Sequence, residues 1–254
     1  ELNPNFAAAH SNLGLILRDL GRFKQAEIST RKAIELNPNF AAAHSNLGLI
    51  LTELANFAKA KISYLKAIEL NPDFADAYYN LSCLELLQGD YESGLKNYEF
   101  RLKKKEPTIS ISEKIIKRFD NEKFEKGEKL LIISEQGLGD TIQYMRYIPC
   151  LRKKELDIYF LAPKKLHSLI KASGIDKNPL TPDEVNIFSE AKWIPLLSLP
   201  RYLKVRHGNP IISKQYIYTT NMLKEKWAKI LSKEKRPIIG INWQGDEYME
   251  KHYY

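Results

Sequence analysis

The run ELNPNFAAAHSNLGLIL occupies residues 1–17 and returns letter for letter at 35–51, and a diverged copy, ELNPDFADAYYNL, begins at 69. An offset of 34 residues that repeats in this way specifies a stack of small supersecondary units, each too small to bury its own apolar face. Leu13, Gly14 and Leu17 fall on one side of a first helix, and Ala26 and Ala33 on the facing side of a second. Small residues at Gly14 and Ala26 allow the two helices to approach closely, and Pro38 ends the unit. The second unit repeats the set as Leu47, Gly48, Leu51, Ala60, Ala67 and Pro72. Leu20-Gly21-Arg22 and Gln88-Gly89-Asp90 are the turns of units one and three, where glycine suits a left-handed helix end.

A period of 34 with these positions is that of the tetratricopeptide repeat, so residues 1–106 are expected to form an α-helical solenoid of helix pairs. The third unit departs from the pattern. Gly94 stands where the second helix should carry its small Ala, Arg101 takes the later Ala position, and LKKKEP follows. A terminal unit has no neighbour on its outer side and is expected to be atypical, so the array ends here.

Asn12, Asn46 and Asn80 also recur at the period, one residue before the core leucine of each first helix. First helices line the concave surface, and a primary amide both donates and accepts hydrogen bonds there. These repeats resemble those of O-linked N-acetylglucosamine transferases. The resemblance implies that the three asparagines grip the backbone of a polypeptide; a solvated groove position common to such repeats is the alternative.

Composition changes along the chain. Residues 1–100 carry 9 Lys and Arg against 12 Asp and Glu, whereas 101–254 carry 30 against 19. The basic part would suit an anionic ligand, but its lysines are scattered among Ile, Asn and Tyr, with no RNA-recognition motif to point to nucleic acid. No apolar run reaches the length of a membrane span. The two cysteines, Cys83 and Cys150, lack a metal-binding or framework spacing, and the five histidines lack one too, so no metal and no cofactor is expected. A reducing, cytoplasmic setting follows from the cysteine usage. Glu1 lies inside a repeat unit and Tyr254 follows shortly after a new strand-like run, so the chain reads as part of a longer protein.

Residues 107–127 read as a connector with a short helix around Glu113–Phe119. Lys129 to Ser134 (KLLIIS) is an apolar run suited to a buried parallel strand. The loop EQGLGDT follows, then a helix over Ile142–Lys154, a strand at Leu156–Leu161 and a helix from Lys164 to about Ala172. Strand, glycine loop, helix and strand begin a doubly wound α/β domain, Rossmann-like, over 128–233. The loop matches neither common phosphate motif. Ile142 stands where a dinucleotide fingerprint needs its third glycine, and no Gly-Lys-Ser/Thr is present. Asp140 would repel a bare phosphate and is expected either to cap the helix, near Gln143, or to act in chemistry.

EQGLGDTIQYMRYIP, with GxxxYEFR at Gly94–Arg101, WIPLLSLP at 193–200 and RPIIGINWQG at 236–245, resembles bacterial tetratricopeptide proteins fused to a GT-B glycosyltransferase of the heptosyltransferase group. What the resemblance implies is specific. Asp140 is the base that takes the acceptor proton, with Gln136, Gly137, Gly139 and Gln143 around it on the acceptor side. Trp243 and Gly245 belong to the donor-side loop, in a second α/β domain that begins near 234 and is truncated at 254. The reaction is inverting sugar transfer from a nucleotide sugar to a polypeptide or glycan acceptor, and the fragment is expected to be inactive alone. A non-catalytic tetratricopeptide adaptor with a degenerate α/β part is the competing expectation.

Overall fold

The computed structural model describes residues 6–104, 117–120, 123–135, 137–187, 191–206, 208 and 214–232. The expectations on Gln136, on Trp243 and Gly245, and on all of 105–116 and 233–254 lie outside the described residues.

Three antiparallel helix pairs come first: α1 (Ala7–Asp19) with α2 (Phe23–Leu36), α3 (Ala41–Glu53) with α4 (Phe57–Leu70), and α5 (Ala75–Leu87) with α6 (Tyr91–Tyr98). The 34-residue period is thus one pair. The glycine positions behave as the spacing predicts: a Cβ on Gly14 would fall 2.0 Å from Thr30 Oγ1, and one on Gly48 would fall 2.5 Å from the Tyr64 ring. Ala26, Ala33, Ala60 and Ala67 are fully buried opposite them.

Identical sequence acquires different surroundings in successive pairs. Leu47 and Ile50 are 4% and 0% exposed, yet Leu13 and Ile16, the same residues one period earlier, are 46% and 57% exposed. The cause is stacking, because α3 packs against α2 of the pair before it.

The third pair closes as expected but by an unforeseen route. After α6 the chain tightens into a 3-10 turn at Glu99–Lys103, and Arg101 is buried there. Phe100 stacks on Tyr78 of α5 with ring centroids 3.7 Å apart, and the Lys104 ammonium lies 4.6 Å from the Tyr79 ring and 2.9 Å from Asp76.

The remainder is built on a small parallel sheet of β1 (Lys129–Ile133), β2 (Asp157–Leu161) and β3 (Lys192–Pro195), in the order β2-β1-β3. Leu131 lies opposite both Tyr159 and Trp193, and Ile132 opposite both Phe160 and Ile194. Single parallel bridges extend both edges, Leu180 beside Leu161 and Arg118 beside Trp193. The latter corrects the connector helix expected up to Phe119: among its described residues the backbone is extended, with Phe119 N donating to Trp193 O at 2.8 Å. Pairing with the sheet edge, and full burial of the Phe119 ring against the core, outweigh the weak helical periodicity.

Alternate residues of β1 feed two cores. Leu130 and Ile132 join Phe119, Met145, Ile148, Phe160 and Ile194, whereas Leu131 and Ile133 join Ala191 and Trp193. The helix after the glycine loop begins earlier than expected and is broken. It runs as α7 (Leu138–Tyr144), a 3-10 turn at Met145–Tyr147, and α8 (Ile148–Arg152). The predicted helix after β2 is a 3-10 turn followed by α9 (His167–Ala172). WIPLLSLP divides between β3, a 3-10 turn at Leu196–Ser198, and α10 (Leu199–Tyr202). Last comes α11 (Asn221–Leu231), capped by Thr220 Oγ1, which accepts from Leu223 N. No helix among the described residues is long and apolar enough to cross a membrane.

One turn is strained. Ala55 holds φ 55° where pairs one and three place Gly21 and Gly89 at 72° and 81°. A left-handed L-residue costs about 1–2 kcal/mol, partly offset by the chain entropy glycine loses. Ala55→Gly is therefore expected to raise stability by about 0.5–1 kcal/mol, read as a higher denaturation midpoint at unchanged slope.

Candidate functional site

Two arrangements bear on function: the row of first helices, and the place where that row meets the end of β1.

Along the row, α1 packs on α3 and α3 on α5. This aligns Asn12, which is exposed, with Asn46 and Asn80, which are half-buried. The ladder is not uniform. Asn46 Nδ2 donates to Ser11 Oγ of the preceding pair at 2.9 Å. That leaves the Asn46 carbonyl to accept from a ligand. Ser11 and Ser45 are buried, and the third unit carries Tyr79 at the same position. Its ring lies 5.7 Å from that of Tyr98.

At the junction, Arg101 stands where Ala33 and Ala67 pack inside earlier pairs. Its guanidinium leaves the repeat and enters the base of the sheet. Nε donates to Glu135 Oε1 at 2.6 Å, Nη2 to Ser198 Oγ at 2.9 Å, and Nη1 to Tyr98 O and Glu99 Oε1, both at 3.1 Å. The group lies 4.4 Å from the centre of the Tyr98 ring. Glu99 also receives Arg118 at 2.5 Å and faces Arg201 at 3.6 Å. Two residues at the end of the repeat, one at the end of β1 and one in the turn after β3 are thus held by one planar donor group.

Burial pushes the Glu135 carboxyl above the ordinary glutamate range, and the hydrogen bond and charge of Arg101 pull it back. Burial also works against the Arg101 charge, but its bond and charge contact with Glu135 outweigh this. Sequence reasoning noticed Arg101 only as a broken alanine position. It passed over Glu135, although that residue opens the EQGLGDT motif, and Ser198, although it sits within PLLSLP.

The glycine loop follows directly. Gly137 is the N-cap of α7 and makes no side-chain cap bond. Asp140 is the third residue of the helix, so the expected capping role is corrected. The turn is closed instead by buried Thr141, whose Oγ1 donates to Gly137 O at 3.1 Å and lies 2.5 Å from Ser134 Oγ. Asp140 is half-buried, and Gly137, Gly139 and Gln143 are exposed beside it. A Cβ at Gly139 would meet nothing within 4 Å, and neither Gly137 nor Gly139 has a positive φ. Packing and backbone conformation therefore do not demand these glycines.

Across the loop stands the last first helix. Burial raises the Tyr79 and Tyr144 phenols, with the Asp140 charge contributing to both shifts. The Asp140 charge thus reaches the Tyr79 phenol of α5. Asp140, Gly137, Gly139 and Gln143 lie close in sequence in and just before α7, and Asn12, Asn46 and Asn80 lie on α1, α3 and α5. Among the described residues no group of three or more His, Cys, Asp or Glu side chains is placed to hold a metal ion.

Helix pairs stacked at a 34-residue period and pinned to a parallel sheet define a helical-repeat solenoid with an α/β attachment. Residues 7–40 and 41–74 match one tetratricopeptide-repeat family and 63–96 match a second, so the N-terminal region is a tetratricopeptide-repeat array. No curated protein matches the chain. Similar solved structures include the first TPR of Spaghetti (RPAP3) bound to the HSP90 peptide SRMEEVD, at 21% identity over 40% of this chain and 80% of that one, TM-score 0.38. The TPR2AB-domain:pHSP90 complex of yeast Sti1 is similar at 25% identity over 40% of this chain and 39% of that one, TM-score 0.37. MamA is similar at 26% identity over 40% of this chain and 60% of that one, TM-score 0.37.

Two expectations follow from the junction. Arg101→Ala leaves the buried Glu135 carboxylate without its arginine and should cost about 3–5 kcal/mol, and adding Glu135→Gln should restore part of that loss. Urea denaturation of the two variants reads the difference directly.

Alkaline titration tests the tyrosines. Burial raises Tyr98, Tyr144 and Tyr202, and brings Tyr64 to about 12. The folded state keeps protons that the unfolded chain releases near pH 10, so their contribution is complete below that pH. It is lost as pH rises toward about 12. Phenolate absorbance should therefore show a late group that ionises together with unfolding.

Proposed function

We propose that the repeats hold an extended polypeptide and present it to the glycine loop after β1, where sugar is transferred from a nucleotide sugar. The observation that supports this reading is the setting of Asp140: half-buried near the start of α7, in a loop whose glycines the fold does not need, with its charge reaching the Tyr79 phenol of α5. An acceptor hydroxyl delivered along the row attacks the anomeric carbon. Asp140 takes its proton as the bond to the nucleoside diphosphate breaks, and the configuration inverts. Asn12, Asn46 and Asn80 hold the acceptor backbone, reading no side chains.

Exposed Gly137 and Gly139 keep the backbone bare for close approach, and the Arg101–Glu135 pair fixes the direction in which the row points. Trp243 and Gly245 belong to the donor side of this scheme. A glycan acceptor would use the same loop without the asparagines. The competing reading, a non-catalytic adaptor, keeps the peptide groove and drops the chemistry.

The test uses the full-length protein with a panel of nucleotide sugars and serine- and threonine-containing peptides, following release of free nucleotide. Asp140→Asn should lower turnover by roughly 100-fold or more. Gly139→Ala should leave stability unchanged or slightly higher, as alanine favours a helix by up to about 1 kcal/mol, while reducing turnover. Wild-type turnover in Asp140→Asn would sink the catalytic role, and peptide binding with no nucleotide release from any sugar would leave the adaptor.

A further inference from the structure

The internal repeat allows one part of the solenoid surface to be read against its own copy. A hollow of about 360 Å³ opens between α2, α3 and α4, with Ile34, Leu47 and Ile62 as its floor and walls, His44 at one side, and Arg31 and Lys66 at the rim. Glu35 and Ser63 complete it. His44 and Asn46 are two residues apart on α3, about 200° around a helix, so this surface is separate from the asparagine row.

Moving each position forward by 34 residues gives the corresponding place between α4, α5 and α6. There His44 becomes Tyr78 and Lys66 becomes Phe100. In that copy Phe100, in the 3-10 turn just after α6, stacks on Tyr78 with centroids 3.7 Å apart and planes 8° apart, and Lys103 Nζ lies 4.8 Å from the Phe100 ring. The floor is retained as Ile68 and Leu81. The chain thus shows what this architecture accepts at the repeat position of His44, a flat aromatic ring lying on the side chain there.

In the upstream copy no ring among the described residues stacks on His44. Lys66 is instead engaged with Glu69 at 2.7 Å and Arg31 with Glu27 at 2.8 Å, which holds both cations at the rim. Ile62 stays 67% exposed, where the downstream copy has Lys96.

We infer that this hollow is a docking site for an aromatic side chain of a partner polypeptide, which stacks on His44 as Phe100 stacks on Tyr78. The apolar floor takes the ring edge, and Arg31 and Lys66 lie where cations favour an aromatic face. This site is independent of the sugar-transfer reading and of the asparagine row.

N-Acetyl-phenylalaninamide and N-acetyl-leucinamide, titrated into the intact chain and followed by NMR, test it. Expected are saturable shifts at the Ile34 and Ile62 methyls and the His44 ring with the phenylalanine probe, and at least five-fold weaker binding of the leucine probe. Lys66→Phe, which supplies the ring internally, should abolish the response, and so should Ile62→Lys, which copies the downstream residue at an exposed position. Each variant is checked for native circular dichroism.

Absence of saturable shifts at these three residues, equal affinity for both probes, or a response unchanged in either folded variant overturns the inference. So does sedimentation showing that the wild-type chain self-associates and Lys66→Phe does not, since a second copy would then cover the hollow.

Discussion

Everything beyond the repeats is oriented by one buried guanidinium. In a regular array, position 101 would be a small residue sealing one helix pair against the next, as Ala33 and Ala67 do. Arginine cannot do that. Its length and charge force it to seek carboxylates, and the ones it finds are Glu99 on its own turn and Glu135 at the end of β1. Desolvating such a pair is costly, and each hydrogen bond the guanidinium makes offsets part of that cost. Tyr98 O and Ser198 Oγ supply its further acceptors. The same residue that stops the solenoid therefore attaches it.

This attachment gives geometry to the glycine loop. Glu135 precedes the loop by a single residue, so fixing it fixes where α7 begins and where Asp140 stands relative to α5. The carboxyl end of the central strand of a parallel sheet, where the strand order reverses, is the ordinary place for ligands in α/β folds. Here that place follows a tetratricopeptide-repeat array to which the end of the strand is tied through Arg101 and Glu135.

Much of this was legible in advance, for identifiable reasons. The helix pairs follow from an exact period, the β1 strand from a short apolar run, and the end of the array from Gly94 and Arg101. The capping role expected of Asp140 failed because the helix begins two residues before it, and Thr141 closes the turn instead. The connector helix failed at Lys117–Asp120 because an open strand edge at β3 offers unpaired backbone groups, which sequence periodicity does not register. Glu135 was missed because a lone glutamate in a loop carries no sign of its partner 34 residues away.

The sequence by itself determined the repeat unit, the sheet-forming runs and the break in the alanine pattern, because these depend on local periodicity and residue size. Only the tertiary structure decided what each position faces. Leu13 and Leu47 share a sequence context and differ tenfold in exposure, and His44 and Tyr78 share a repeat position, but among the described residues only Tyr78 has a ring stacked on it. Burial, pairing and vacancy belong to neighbours brought together by packing, and neighbours distant in the chain are not written in a residue's own surroundings in the sequence.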